Sequence, residues 1–172
     1  MRLRTLRESH MRKAVVCLSL VLACTAHAEN ITGRVVGVAD GDTVTVLDSD
    51  KVQHKIRLSG IDAPETKQPF GNRSKESLSE LAFGKTVNVE TEKRDRYGRQ
   101  IGKVLVNGRD VNLVQVERGM AWFYRLYQRE QSPNDRRLYE AAETAAKADK
   151  RGLWRDANPV PPWEFRHTKR SP

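Results

Sequence analysis

Three short segments gather residue types that could do hydrolytic chemistry: Asp40-Gly41-Asp42-Thr43, Ile56-Arg57-Leu58-Ser59-Gly60-Ile61-Asp62-Ala63-Pro64-Glu65 and Asp95-Arg96-Tyr97-Gly98-Arg99. They offer the carboxylates of Asp42, Asp62 and Glu65 and the guanidinium groups of Arg57 and Arg99, each beside a turn or inside a strand-like run. Carboxylate oxygens hold a hard cation, guanidinium forks grip phosphate oxygens in parallel hydrogen bonds, and a further carboxylate can orient a water. These are the parts needed to cut a phosphodiester.

Local backbone chemistry puts the acids where a cation could reach them. Asp42 follows a tight turn at a strand start, and Asp62 ends a strand just before Ala63-Pro64. Pro64 lacks a ladder donor and pushes Ala63 to extended geometry, so the chain leaves the sheet there and frees carbonyls for a metal site. Each acid taken alone also fits a plain turn or strand cap. Arg57 shares a strand face with Ser59 and Ile61, where a guanidinium needs an acid or an anion, so a salt bridge to Asp62 or Glu65 competes with a phosphate. Arg99 alone would pass for a solvated turn residue. After residue 28 the chain has no cysteine and only His54 and His167, which excludes a nitrogen- or sulfur-rich zinc site. Oxygen ligands suit calcium or magnesium, and composition does not choose between them.

The elements that must position these residues follow from the hydrophobic pattern. Residues 31–39 alternate as a strand, Asp40-Gly41 signals a turn, Thr43 to Leu47 is a β-branched run, and Val52 to Ile61 makes a third strand. The period then changes: 72–83 reads as an amphipathic helix ended by Gly84. Strands are expected over 86–92 and 100–106, a short helix over 111–119, and a longer one over 133–150 capped by Ser132 with Pro133 at its first position. The inner face of that last helix is expected to be Leu138, Ala141, Ala142, Ala145, Ala146 and Ala148. Trp122 and Phe123 read as core. Strand count alone leaves an OB-type barrel, an SH3-like barrel and an α+β sandwich open.

D-G-D-T, R-L-x-x-I-D-A-P-E and D-R-Y-G-R stand in the order and spacing of the staphylococcal nuclease (thermonuclease) family, which the chain resembles from about Thr32 to Trp154. The resemblance implies an α+β fold, a five-stranded OB-type Greek-key β-barrel with three helices. It also implies Ca²⁺ held by the side chains of Asp42 and Asp62 and the carbonyl of Ala63, where the family's best-known member has Thr. Arg57 and Arg99 would be the forks on the scissile phosphate, and Glu65 would position or deprotonate the attacking water. Arg96, Tyr97 and Tyr127 are the expected substrate contacts. The family usually shows two tyrosines near the last spot, and Arg125 stands at what reads as the first. The loop Thr66 to Gly71 is shorter than in the best-known member. The implied activity is cleavage of DNA and RNA to 3′-phosphate ends.

The ends set the compartment. Arg12-Lys13, an apolar run from Ala14 to Ala23, and Ala26-His27-Ala28 read as a secretory signal peptide cleaved after Ala28, with lipidation at Cys24 as the rival reading. The domain plan is therefore 1–28 leader, 29–157 catalytic domain and 158–172 an extended Pro-rich, basic tail, docked through Trp163 and loose from Arg166. The leader takes five of 31 Lys/Arg and one of 22 Asp/Glu, leaving 144 residues with net charge +5. That suits a polyanionic substrate. Both cysteines, Cys17 and Cys24, fall in the leader, so no disulfide framework is expected. A monomer in the periplasm or the medium is expected, with no stable membrane span.

Two rival functions have their own marks. Glu65-Thr66-Lys67 with Asp42 upstream resembles a magnesium-dependent restriction-type nuclease, although Pro64 argues against the strand such a site needs. A non-catalytic OB-type module binding single strands would keep the barrel but has no use for the full set of acids and arginines.

Overall fold

The computed structural model describes residues 29–168. In chain order the elements are β1 (Glu29–Asp40), β2 (Thr43–Asp48), β3 (Gln53–Leu58), β4 (Ile61–Asp62), α1 (Gly71–Ala82), β5 (Thr86–Arg94), β6 (Gln100–Val106), β7 (Arg109–Asp110), α2 (Val111–Glu117), β8 (Trp122–Phe123), α3 (Pro133–Ala148) and α4 (Pro162–Thr168). Two short 3₁₀ turns joined by a kink at Tyr127 span Arg125–Glu130, and another 3₁₀ segment lies at Gly152–Arg155. The leader and its cleavage site lie outside the described residues, as do 169–172. No helix among the described residues is long and apolar enough to cross a membrane.

Length lets β1 serve both halves of a barrel. Gly33 and Arg34 pair with Asp48 and Leu47 of β2 on one side and with Val87 and Thr86 of β5 on the other. Register shifts between Val35 and Gly37 and between Val38 and Asp40 bend the strand between its two partners. The order β3-β2-β1-β5-β6 is antiparallel and closes through a parallel pair, β3 with β6, in register Ile56↔Gln100, Arg57↔Ile101 and Leu58↔Gly102. The result is the closed five-stranded OB-type barrel with helices that the resemblance implied. Val35, Val44, Val46, Ile56, Leu58, Val87, Val89 and Val104 of its strands are buried in one core with Leu78, Val116, Phe123 and Tyr139 of the surrounding elements.

The expected third strand is broken. Gly60 has φ +74°, a left-handed value costly for other residues, and turns the chain out of β3 into β4. β4 pairs with β8, placing Asp62 opposite Trp122 on a two-stranded ribbon outside the barrel sheet. Trp122 and Phe123 are buried, as expected.

The helices follow their caps. Ser132 Oγ accepts the Asp135 N–H at 3.0 Å, with Pro133 in the first turn. The small-residue face expected for α3 is corrected: its buried residues are Tyr139, Glu143 and Ala146, while Leu138 is exposed. A buried carboxylate is tolerated because Glu143 accepts the Phe123 N–H at 3.1 Å and pairs with Arg125 at 2.8 Å and Lys147 at 2.9 Å.

The tail is also corrected. It was expected to be extended, with Arg166 loose, yet residues 162–168 form α4. Pro162 sits at the start of that helix, where a missing N–H removes no helical bond. Trp163 docks as expected. Its ring stacks on Tyr124 at 5.5 Å and meets Trp122 edge-on at 6.4 Å.

Candidate active site

The Asp40-Gly41-Asp42 turn is held from three sides. Asp40 Oδ1 accepts the Asp42 N–H at 3.1 Å, an Asx turn that leaves Asp42 directed inward. A Cβ on Gly41 would fall 1.8 Å from Ser74 Oγ and 2.8 Å from Ala63 Cβ, so only glycine lets the turn lie against α1 and the chain beyond β4. Buried Gln115 of α2 donates to Gly41 O at 2.8 Å and Ser74 O at 3.0 Å, and accepts from Ser77 Oγ at 2.6 Å. The Leu58 N–H donates to Asp42 O at 2.8 Å, locking the turn to β3.

Arg57 then bridges the two acids. Its Nη1 lies 2.9 Å from Asp42 Oδ2 and its Nη2 2.8 Å from Asp62 Oδ1, with further bonds to Leu58 O and Ile61 O. Asp42 Oδ2 also accepts the Ala63 N–H at 2.7 Å. Asp42 and Asp62 are only 6% and 1% exposed. Burial pushes the Asp42 carboxyl up to about 8, although the Arg57 charge pulls the other way. The two buried carboxylates share Arg57, and Asp62 is also met by Arg166 at 2.8 Å. The donor set is oxygen only, which suits a hard divalent cation that would compete with these guanidinium groups. Among the described residues no three His, Cys, Asp or Glu side chains gather as a complete metal cage. Two carboxylates and backbone oxygen would therefore hold an ion that keeps part of its water shell.

The other expected residues line the same cleft, of about 1480 Å³, as Asp42, Arg57, Asp62, Ala63 and Glu65. Arg99 does not reach the acids. Its Nε and Nη2 both lie 2.7 Å from Asp95 Oδ2, inside its own hairpin turn. Tyr97 is exposed, with Arg96 and Arg99 set against its ring at 5.0 and 5.6 Å. Tyr127 carries Lys93 at 5.5 Å on one side and meets Tyr124 edge-on at 5.2 Å. Arg125, expected to replace the first tyrosine of this spot, turns instead to Glu143; the two tyrosines at this spot are Tyr124 and Tyr127, which line the cleft together with Tyr97.

Two features escaped the sequence reading. Gln115 carries no pattern that marks a turn-holding role 74 residues from Gly41. Arg166 of α4 lies on Glu65 and Asp62, at 2.8 Å from each. Pro161-Pro162 as a helix start, followed by Trp163 and Arg166 one turn apart, was the available signal.

A sequence profile described as "Staphylococcal nuclease homologue" matches residues 55–156, more than half of the chain. The chain belongs to the staphylococcal nuclease family. It is 43% identical over 160 residues to an uncharacterized endonuclease of Escherichia coli, covering 92% of this chain and 100% of that one. It is 35% identical over 170 residues to a micrococcal nuclease of Shigella flexneri, covering 94% of each. A staphylococcal-like nuclease of Arabidopsis thaliana is 36% identical over 137 residues, 77% of this chain and 40% of the plant protein. As a member of this family the chain is a hydrolytic nuclease.

Proposed function

We propose that this nuclease is a Ca²⁺-dependent endonuclease that hydrolyses DNA and RNA and leaves 3′-phosphate ends. One observation carries the reading: Arg57 spans two buried carboxylates at 2.9 and 2.8 Å, in a cleft that Glu65 and Arg99 also line. Asp42, Asp62 and the Ala63 carbonyl would hold the ion, which when bound supplies positive charge to a phosphate oxygen and to the attacking water's site. Arg57 turns part of its fork to the scissile phosphate. Arg99 joins it by exchanging Asp95 for a phosphate oxygen, and both gain strength as charge builds in the transition state. Glu65 orients or deprotonates the water, whose oxygen attacks phosphorus as the bond to the 5′ oxygen breaks. Arg96, Tyr97, Tyr124 and Tyr127 offer charge and flat rings to the flanking nucleotides.

The test is incubation of plasmid and RNA with the purified protein in calcium, magnesium or chelator, followed by end-group mapping. Cleavage in calcium with 3′-phosphate ends is expected, and Glu65→Gln should lose about 10²–10⁴ in rate while still binding nucleic acid. Cleavage in magnesium with inhibition by calcium would transfer the activity to the restriction-type reading. A gel shift without scission in calcium would leave only a binding module. We also propose export: removal of the leader after Ala28 would start the protein at Glu29, the first residue of β1. An intact mass of the protein recovered from periplasm or medium tests that.

A further inference from the structure

The C-terminal helix brings a cation onto the two acids that matter most, and it lies beyond residue 156, where the family match ends. Arg166 Nη1 donates to Glu65 Oε1 at 2.8 Å. The same guanidinium forks Asp62, with Nη2 to Oδ2 at 2.8 Å and Nη1 to Oδ1 at 3.2 Å. We propose that Arg166 is a positioning residue for Glu65: it ties the water-orienting carboxylate to Asp62 and gives up one of its two bonds to Asp62 when the cation binds. The proposal rests on the function argued above.

Glu65 needs such a tether. It stands in the irregular stretch between β4 and α1, its side chain is 40% exposed, and a free glutamate has many rotamers to lose. Its main chain is tied at a second point to the same tail. The Glu65 N–H donates to Oε1 of buried Gln68 at 3.1 Å, and Gln68 Nε2 donates to Val160 O. The tail itself is seated by Trp163 on Tyr124 and Trp122, and Trp122 pairs with Asp62 across the β4–β8 ribbon. Arg166 is therefore delivered by the ribbon that carries its partner, and Glu65 is aligned to Asp62 rather than to solvent.

Asp62 cannot serve the helix and a divalent ion equally. Its Oδ1 is shared by Arg57 and Arg166, and its Oδ2 is bound by Arg166. An ion coming onto Asp62 displaces one of these bonds and repels the guanidinium beside it. Arg166 thus opposes cation binding while it organises the bound state. Its removal should move the two properties in opposite directions.

The experiment compares the full protein with Arg166→Gln, Arg166→Lys and Trp163→Ala. Calorimetric titration with Ca²⁺ alone, without nucleic acid, should show Arg166→Gln binding the ion about two- to fivefold more tightly, the scale of a partly exposed pair. At saturating Ca²⁺ its kcat should fall about tenfold or more with KM within a factor of about two, as expected for a misaligned group. Arg166→Lys, which keeps the charge and one bond, should recover part of kcat. Trp163→Ala, which unseats α4 with Arg166 intact, should reproduce both changes. In a Glu65→Gln background Arg166→Gln should add no further loss. Unchanged kcat, weaker Ca²⁺ binding or an additive loss in that background would overturn the proposal. Failure of the parent protein to bind Ca²⁺, or of Glu65→Gln to lose activity, would sink the function itself instead.

Discussion

Replacing Asp42 with Asn removes one buried carboxylate while keeping its shape and an oxygen for the Ala63 N–H, now bonded at 2.7 Å. Burial holds the Asp42 carboxyl at about 8 in the fold against 3.8 for the free side chain. Between those values the folded chain keeps a proton that the unfolded chain has released. The favourable contribution of this group is fully present below about pH 4 and is lost as pH rises through about 8. That displacement corresponds to at most about 6 kcal/mol. Arg57 already offsets part of the charge, and Asn sacrifices the Arg57 Nη1 partner at 2.9 Å, although Arg57 keeps Asp62, Leu58 O and Ile61 O. A net gain of about 1–2 kcal/mol for Asp42→Asn at pH 7.5 in chelator is expected, or about 3–8 °C in Tm for a domain of this size. Calorimetric melts of both proteins at pH 5 and 7.5 in chelator, then with Ca²⁺, measure it. The variant should be the more stable at pH 7.5, its advantage shrinking at pH 5. Ca²⁺ should raise only the parent's Tm, and the variant should not cleave. A variant that melts at or below the parent at pH 7.5 in chelator would refute the claim that this acid is kept against the interest of the fold.

Gly41→Ala drives a methyl into Ser74 and Ala63, so it should cost about 1–3 kcal/mol in urea melts and weaken Ca²⁺ binding by calorimetry. Ser132→Ala removes only the cap of α3; a loss of about 1 kcal/mol with unchanged turnover is expected. Tyr127→Ala takes away a half-exposed ring beside Lys93 and Tyr124, and should raise KM several-fold on single-stranded substrate while kcat holds. Steady-state kinetics with unstructured oligonucleotides would show a kcat loss instead if Tyr127 mattered to the chemical step.

The barrel was legible because period-2 runs, turn signals and a single period change are local properties, and the strands expected from them exist, the third only as far as Leu58. That Asp42 and Asp62 stand at strand ends was legible because a tight turn and Pro64 mark those ends, whereas grouping Arg57 and Glu65 with them took the resemblance to the nuclease family. Other parts depend on distances that no local pattern records. The break at Gly60 needed a left-handed residue that the alternation across 52–61 concealed. The inner face of α3 was misread because Glu143 is buried for the sake of Phe123, Arg125 and Lys147, none of which a helical wheel can see as partners. α4 was misread because prolines that forbid a helix interior are welcome at its first turn. Arg166 and Glu65, 101 residues apart, meet only through the docking of Trp163.

Arg57 occupies the seam where the barrel shuts, opposite Ile101 in the parallel pair between β3 and β6. No hairpin reinforces that seam; its two edges come from opposite ends of the sheet order and are joined late in any zippering of neighbours. Breathing at the seam would part Arg57, which moves with the Asp42 turn locked to β3, from the hairpin that carries Arg99 into β6. Loss of cleavage and the first exchange of amide hydrogens along β3 and β6 should therefore track each other as denaturant rises, well before the whole chain unravels.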